Sequence, residues 1–378
     1  MDFDLTDAQR MIRDLACEFA ENEVKPLAAE IDRADEFPWK LFSRMGELGL
    51  LGMTLPEEYG GSGADTVSWS LVEEELARAS AAVADAQLLS KLMGDMILRN
   101  GTEAQRRKYL PPLARGEKIC AIAQTEPGTG SDVAGIQTTA RRERGGYVLN
   151  GTKRFITAAG VCHMAIVVAT LDRAKGRRGI TLFIAEEGTQ GFSRGSKDSL
   201  MGVRGLATGE LLFEDCFVPE ENRLGPEEEG FKLAMISLDS GRIGIGSQAL
   251  GLAQAALEEA IRYAKGRVAF GQPIANFQAI QFMIADMSMQ IEAVRLMLRK
   301  AAFLRDQGRP FSRESAEAKL FASEVLGRVV ADALQIHGAY GYSAEFPIER
   351  IYRDAKLYQI WEGTSQIQRL VIARHLLR

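Results

Sequence analysis

Strand-like patterning is confined to the middle of this 378-residue chain, and helical patterning occupies both sides of it; few architectures accept that order. From residue 6 to about 118 the signals are helical, opened by Thr6 and Gln9 in capping-box spacing and repeated by Thr102 and Gln105. Leu55-Pro56-Glu57-Glu58-Tyr59-Gly60-Gly61 must break a helix, and Pro111-Pro112 is expected to close the helical region. Between about 119 and 225, runs rich in Val, Ile, Phe and Thr at 119–124, 147–149, 164–170, 180–185 and 210–218 are separated by glycine-bearing turns. No helical pattern intervenes and no G-x-G-x-x-G follows a strand, so an antiparallel β domain is expected and a Rossmann sheet is not. After about 228 helical periodicity returns, with Met283, Met287, Ile291, Val294 and Leu298 forming a core-facing stripe. The expected fold is mainly α with a central β domain: an N-terminal helical domain at 1–118, the β domain at 119–227 and a C-terminal helical bundle at 228–378.

A net charge of -5 offers no global basic field, which argues against nucleic acid and anionic lipid as partners. Cys17, Cys120, Cys162 and Cys216 are scattered, as are His163, His337 and His375, so neither a disulfide framework nor a metal site is indicated. The start, Met1-Asp2-Phe3-Asp4-Leu5-Thr6-Asp7, is acidic, and no apolar run reaches the ~18 residues of a membrane span. A cytoplasmic protein with reduced cysteines is expected.

Ile360-Trp361-Glu362-Gly363-Thr364 sets one carboxylate between bulky apolar residues where a turn meets a helix. Burial against Ile360 and Trp361 would raise the proton affinity of Glu362 and suit it to removing a weakly acidic carbon-bound proton; an acidic residue favoured by the helix dipole is the plainer alternative. Gln124-Thr125-Glu126-Pro127-Gly128-Thr129-Gly130-Ser131-Asp132 follows a strand and is built of glycine and hydroxyl residues, as a phosphate or a flat heterocycle would need and as plain turns also are. Phe155-Ile156-Thr157 ends another strand with a hydroxyl placed like that of Thr125, although threonine is common in strands. Arg267 and Phe270, followed by Gln278, join two helices with a guanidinium, a ring and an amide; Arg267 suits a phosphate or a surface ion pair.

Together these segments resemble the acyl-CoA dehydrogenase family over essentially the whole chain. Thr125-Glu126-Pro127-Gly128, Asn150-Gly151-Thr152-Lys153, Gly202-Val203-Arg204-Gly205, Leu238-Asp239-Ser240-Gly241-Arg242, Arg267 to Gly271, Gln335-Ile336-His337-Gly338, Arg353-Asp354-Ala355-Lys356 and Glu362 to Arg369 occur in family order. The resemblance implies FAD, an acyl-CoA substrate, Glu362 as base and α,β-dehydrogenation, with the backbone N–H of the base among the donors to the thioester carbonyl. Gly241 occupies the alternate base position of some subfamilies, leaving Glu362 without a rival. By position, Thr125, Phe155 and Thr157 would meet the flavin, and Ser131 and Arg242 the CoA. Arg267, Phe270, Gln278, Gln335 and Gly338 would reach the FAD of a neighbouring subunit. Thr364 and Gln366 would lie near the dinucleotide of their own subunit, and Trp361 and Gly363 beside the substrate. A homotetramer and an electron-transfer flavoprotein as acceptor are the family expectations.

Phe155, Ala158, Ala339 and Trp361 depart from residues common in the family. Asp95 departs too, on a stretch at 88–97 expected to line the acyl cavity. It is read either as a second or replacement base for an alicyclic thioester of the cyclohexane or cyclohexene carboxyl-CoA type, or as the ion-pair partner of Lys91 one turn away. An oxygen-reactive acyl-CoA oxidase and a non-catalytic flavoprotein scaffold are the remaining alternatives.

Overall fold

Both expected capping boxes form in the computed structural model, which describes residues 4–377. Thr6 Oγ1 accepts from the Gln9 amide while Gln9 Oε1 accepts from the Thr6 amide, starting α1 (Asp7–Phe19). Met1, Asp2 and Phe3 of the acidic start lie outside the described residues. The N-terminal helices continue as α2 (Ala28–Ala34), α3 (Trp39–Glu47), α4 (Thr66–Ala79), α5 (Ala81–Asn100) and α6 (Glu103–Ala114), the last opened by the Thr102–Gln105 box. Pro111-Pro112 lie inside the last turn of α6, and the helical region closes just after them at Ala114, as expected. Their carbonyls still accept, from the amides of Arg115, Glu117 and Lys118, so only donors are lost at the helix end.

The β domain comprises β1 (Cys120–Ala123), β2 (Thr139–Glu143), β3 (Gly146–Ile156), β4 (Met164–Thr170), β5 (Ile180–Glu186), β6 (Phe192–Lys197), β7 (Gly209–Pro219) and β8 (Arg223–Leu224) in one sheet ordered β6-β7-β3-β2-β4-β5-β8, with β1 against β4. The antiparallel expectation holds for most neighbours and fails at β4, which β1 and the tip of β2 join in parallel. The β2–β3 hairpin inserted between β1 and β4 supplies the long connection that lets the chain return in the same direction. β2 and β6 escape an apolar-pattern reading because they are polar and mostly exposed.

The C-terminal bundle is built on α7 (Gly230–Gly266), 37 residues and about 55 Å long. A small hairpin of β9 (Val268–Ala269) and β10 (Gln272–Pro273) leads to α8 (Gln278–Asp306), α9 (Ser312–His337), α10 (Pro347–Ala355) and α11 (Ser365–Leu376). α7 packs on α4 and α5 on one side and on α8 and α9 on the other, tying the two helical regions into one core. Met287, Ile291, Val294 and Leu298 of the expected stripe are buried, and Met283 is partly buried against the core. Among the described residues no helix is long and apolar enough to cross a membrane, and no group of three or more His, Cys, Asp or Glu could hold a metal ion.

Family-order segments distant in sequence are tied directly. Asp354 accepts from the Val203 amide at 2.5 Å, and the neighbouring Arg353 forks onto Asp32 of α2 at 2.6 and 2.9 Å. Glu126 accepts from the amides of Gln137 and Thr138 and from Lys153 Nζ at 2.8 Å. Lys153, fully buried, also binds the carbonyls of Gln124 and Val168. A charge pair so enclosed is tolerated because nearly every donor and acceptor is satisfied.

Candidate active site

Glu362 sits in the turn between α10 and α11 with φ 51°, followed by Gly363 at φ 92°. A left-handed glutamate costs about 1 kcal/mol or more, so its surroundings must hold it there. Thr364 caps α11 by accepting from the Ile367 amide, and it fixes where the turn ends. The residue is half-buried as a whole, yet its Oε2 is sealed from solvent and has no hydrogen-bond partner among the described residues. Ile360 is 51% exposed, so the burial expected from it comes instead from α7 and α5. A Cβ added to Gly241 of α7 would lie 2.6 Å from Glu362 Oε2 and 3.2 Å from Leu92 Cδ1 of α5. The carboxyl therefore occupies space that only glycine leaves open. Burial raises its proton affinity above the ordinary carboxylate value, opposed by the cations of Arg242 and Lys319.

Arg242 is itself buried and ion-paired to Asp239, leaving its Nε without a partner. The charge of Glu362 acts on the Arg242 guanidinium, opposing in part the effect of burial.

At the β-domain edge, the Arg154 amide donates to the Thr125 carbonyl at 2.9 Å, bringing the ends of β1 and β3 together. A bulge between Lys153 and Ile156 and φ 55° at Phe155 turn that ring outward, 56% exposed, directly before Thr157. The hydroxyls of Thr125 and Thr157 are half-buried and bind no protein partner among the described residues, and Ser131 is exposed on the adjoining loop. Ala158 takes the left-handed conformation, with φ 63°. An outward ring, two uncommitted hydroxyls, and the partnerless Trp361 Nε1 and Glu362 Oε2 fit an aromatic cofactor and a polar substrate head.

Arg267, Phe270, Gln278, Gln335, Gly338 and Gln366 are all exposed, and Thr364 is half-buried. Phe270 reaches 94% exposure, with φ 51°, in the hairpin before α8, and Arg267 lies over the Tyr340 ring. Among the described residues no hydrogen bond or ring contact links Arg267, Phe270, Gln278, Gln335 or Gly338 to Thr125 or Thr157.

Asp95 is held between two cations, Lys91 Nζ at 2.9 Å and Arg305 at 2.7 Å. Lys91 also donates to Ser240 and lies over the Trp69 ring. Despite burial, Asp95's proton affinity is lowered by Lys91 and then Arg305, which makes it a poor base. Asp85 was missed from sequence. It shares one face of α5 with Leu88 and Leu92, is 5% exposed and makes no hydrogen bond or ion pair among the described residues. Burial, then the charge of Glu362, pushes its pKa up to about 8. A carboxylate in an alanine-rich helix reads as surface, and it is the packing of other elements against α5, α4 and α7 among them, that reverses this.

A buried carboxyl of raised proton affinity among the helices, and an outward ring with two uncommitted hydroxyls at the end of the β domain, are features that suit a flavin-dependent oxidoreductase. Profiles for the N-terminal, middle and C-terminal domains of acyl-CoA dehydrogenases match residues 6–117, 121–216 and 228–377, and the chain belongs to the acyl-CoA dehydrogenase family. Its cofactor is accordingly FAD. It is 45% identical, over the full length of both chains, to the short-chain specific acyl-CoA dehydrogenase of Clostridium acetobutylicum. The structure of butyryl-CoA dehydrogenase from Megasphaera elsdenii superposes with a TM-score of 0.98 at 46% identity, covering 100% of each chain. A chain from a structural study of the electron transferring flavoprotein of Acidaminococcus fermentans and flavin-based electron bifurcation gives the same score, identity and coverage.

Proposed function

We propose that this enzyme dehydrogenates a short acyl-CoA thioester between its α and β carbons, with Glu362 as the base. The observation that carries the reading is the sealed, partnerless Glu362 Oε2 in the space kept by Gly241. A buried carboxylate of raised proton affinity is matched to a weakly acidic α-proton. The Glu362 N–H has no acceptor among the described residues, so it is free to bind the thioester oxygen and stabilise enolate character there. FAD, when bound, supplies the acceptor for the β-hydride. Thr125 and Thr157 would hold its ring edge through their hydroxyls, and Phe155 would contribute its ring from the β domain. Ser131 and Arg242 contribute on the CoA side, while Trp361 and Gly363 border the acyl group.

Short acyl groups are favoured because the gap between α5 and α7 closes one turn past Gly241: a Cβ on Gly244 would meet Leu88 Cδ1 at 2.5 Å and Trp69 Cη2 at 2.7 Å. The alicyclic alternative draws no support from an Asp95 paired to Lys91 and Arg305. Four subunits, with Arg267, Phe270, Gln278, Gln335 and Gly338 offered to a neighbour's FAD and Thr364 and Gln366 to their own, complete the proposal. Reoxidation by an electron-transfer flavoprotein is supported by the Acidaminococcus likeness.

The yellow protein should bleach anaerobically with butyryl-CoA. Glu362→Gln should keep its FAD and lose at least about 100-fold in bleaching rate. Colourless protein without FAD uptake would instead support a scaffold, and rapid reoxidation in air an oxidase. In the wild type, kcat/KM should fall with decreasing pH at a value above the ordinary glutamate pKa of 4.5, because the base must be ionised. An acid limb at or below that value would contradict the assignment.

A further inference from the structure

Lys319 of α9 is completely buried, yet no carboxylate lies within ion-pair distance of it among the described residues. Its ammonium instead donates to the carbonyls of Trp361 at 3.0 Å and Gly363 at 2.8 Å, the residues on either side of Glu362. Gln368, equally buried on α11, donates through Nε2 to the carbonyls of Glu362 at 3.2 Å and Gly363 at 2.9 Å. Two side chains thus grip three consecutive carbonyls of a turn with two left-handed residues. Gly363 is needed for that grip, since a Cβ there would meet Gln368 Nε2 at 2.7 Å.

Peptide planarity gives the grip a direction. The Trp361 carbonyl and the Glu362 N–H belong to one planar trans unit and point opposite ways. Tying that oxygen to Lys319 turns the N–H away from α9. The cost is a lysine stripped of water, whose pKa falls to about 8 through burial, with the Glu362 charge opposing the fall. A packing role alone is met by an apolar side chain of similar length without that cost.

We propose that Lys319, assisted by Gln368, is the positioning residue of the thioester site: by holding the carbonyls of residues 361–363 it aims the Glu362 N–H at the substrate oxygen and keeps the Glu362 carboxyl on the substrate side. This rests on Glu362 being the base. Neither side chain touches the reacting atoms. Both act through the turn.

The test uses the FAD-loaded enzyme with butyryl-CoA. Lys319→Met should lower kcat by about 100-fold, the usual cost of losing one aligned donor to a developing oxyanion, with KM changing less than about threefold. Removing a nearby cation should also move the acid limb of kcat/KM to higher pH, since Lys319 favours ionised Glu362. Gln368→Leu keeps that cation. It should lower kcat by about 10-fold and leave the acid limb in place. A Lys319→Met enzyme with wild-type kcat, or one whose loss comes without movement of the acid limb, overturns the proposal. If Lys319→Met does not fold, Gln368→Leu decides: unchanged kcat overturns the proposal, and the kcat loss at unchanged pH profile supports it. Failure of the wild type itself to react with any acyl-CoA would strike the base assignment instead, so the two failures are separable.

Discussion

At the scale of single residues, Glu362 and Gly241 form one device: a carboxyl in a left-handed turn and the missing side chain that admits it. Gly241→Ala tests the device. Alanine gains about 0.5–1 kcal/mol of helix stability over glycine, so Tm should hold or rise unless the neighbours strain. The intruding Cβ, 2.6 Å from Oε2, should displace the carboxyl and cut kcat at least about 10-fold. Normal kcat in that variant would show that the carboxyl need not occupy the site seen here. Glu362 was legible because a carboxylate among apolar residues at a helix start is conspicuous. Lys319, Gln368 and Asp85 were not, since nothing local separates them from surface residues and their burial is created by other elements. Asp85 makes its own prediction through linkage. Its pKa is raised from 3.8 to about 8, so the stability of its neutral form is complete below the lower value and is lost as pH rises through the upper one. Relative to Asp85→Asn, which does not titrate, the wild type should lose up to about 1.4 kcal/mol per pH unit across that window in chemical denaturation. Parallel stability curves would mean that Asp85 is solvated.

At the scale of elements, local chemistry set the ends of helices well and the edges of the sheet poorly. The Thr6–Gln9 and Thr102–Gln105 boxes were readable because both partners lie within one turn. Thr102→Ala should therefore cost about 1 kcal/mol in equilibrium unfolding, and a change below about 0.3 kcal/mol would deny the cap its role. Strands β4, β5 and β7 announced themselves through apolar runs, whereas β2 and β6 lie where side chains meet water and carry Arg, Lys and Glu instead. Parallel pairing at β4 was invisible for a different reason: it depends on what the inserted β2–β3 hairpin does in space. The bulge at Phe155 likewise leaves no periodic trace, although it turns that ring outward.

At the scale of the whole molecule, α8 carries two stripes. One is the buried series from Met287 to Leu298; the other, Phe282, Met289, Leu296 and Phe303, recurs every seven residues and is 64%, 66%, 44% and 52% exposed. Seven residues are nearly two helical turns, so these side chains line one outer face. Four large exposed apolar side chains on one outer face, although Asp286, Glu292 and Lys300 stand between them, favour burial against another copy. This face lies on the helix that Gln278 opens, beside the exposed Phe270. Light scattering should return a mass near four chains, and Phe282→Glu combined with Met289→Glu should lower it and loosen FAD. A double variant that keeps both mass and flavin would dissociate the stripe from assembly. The three-layer fold was legible from patterning alone; this face was not, because one chain's sequence does not say which apolar residues remain uncovered.

The base assignment is tested most directly at the substrate's α carbon. Butyryl-CoA incubated anaerobically in D2O with the FAD-loaded enzyme should take up deuterium there, read by mass spectrometry, and Glu362→Gln should abolish the uptake while retaining FAD. Equal uptake by the two enzymes would mean that another group removes the proton, and the reading of the Glu362 turn would fall with it.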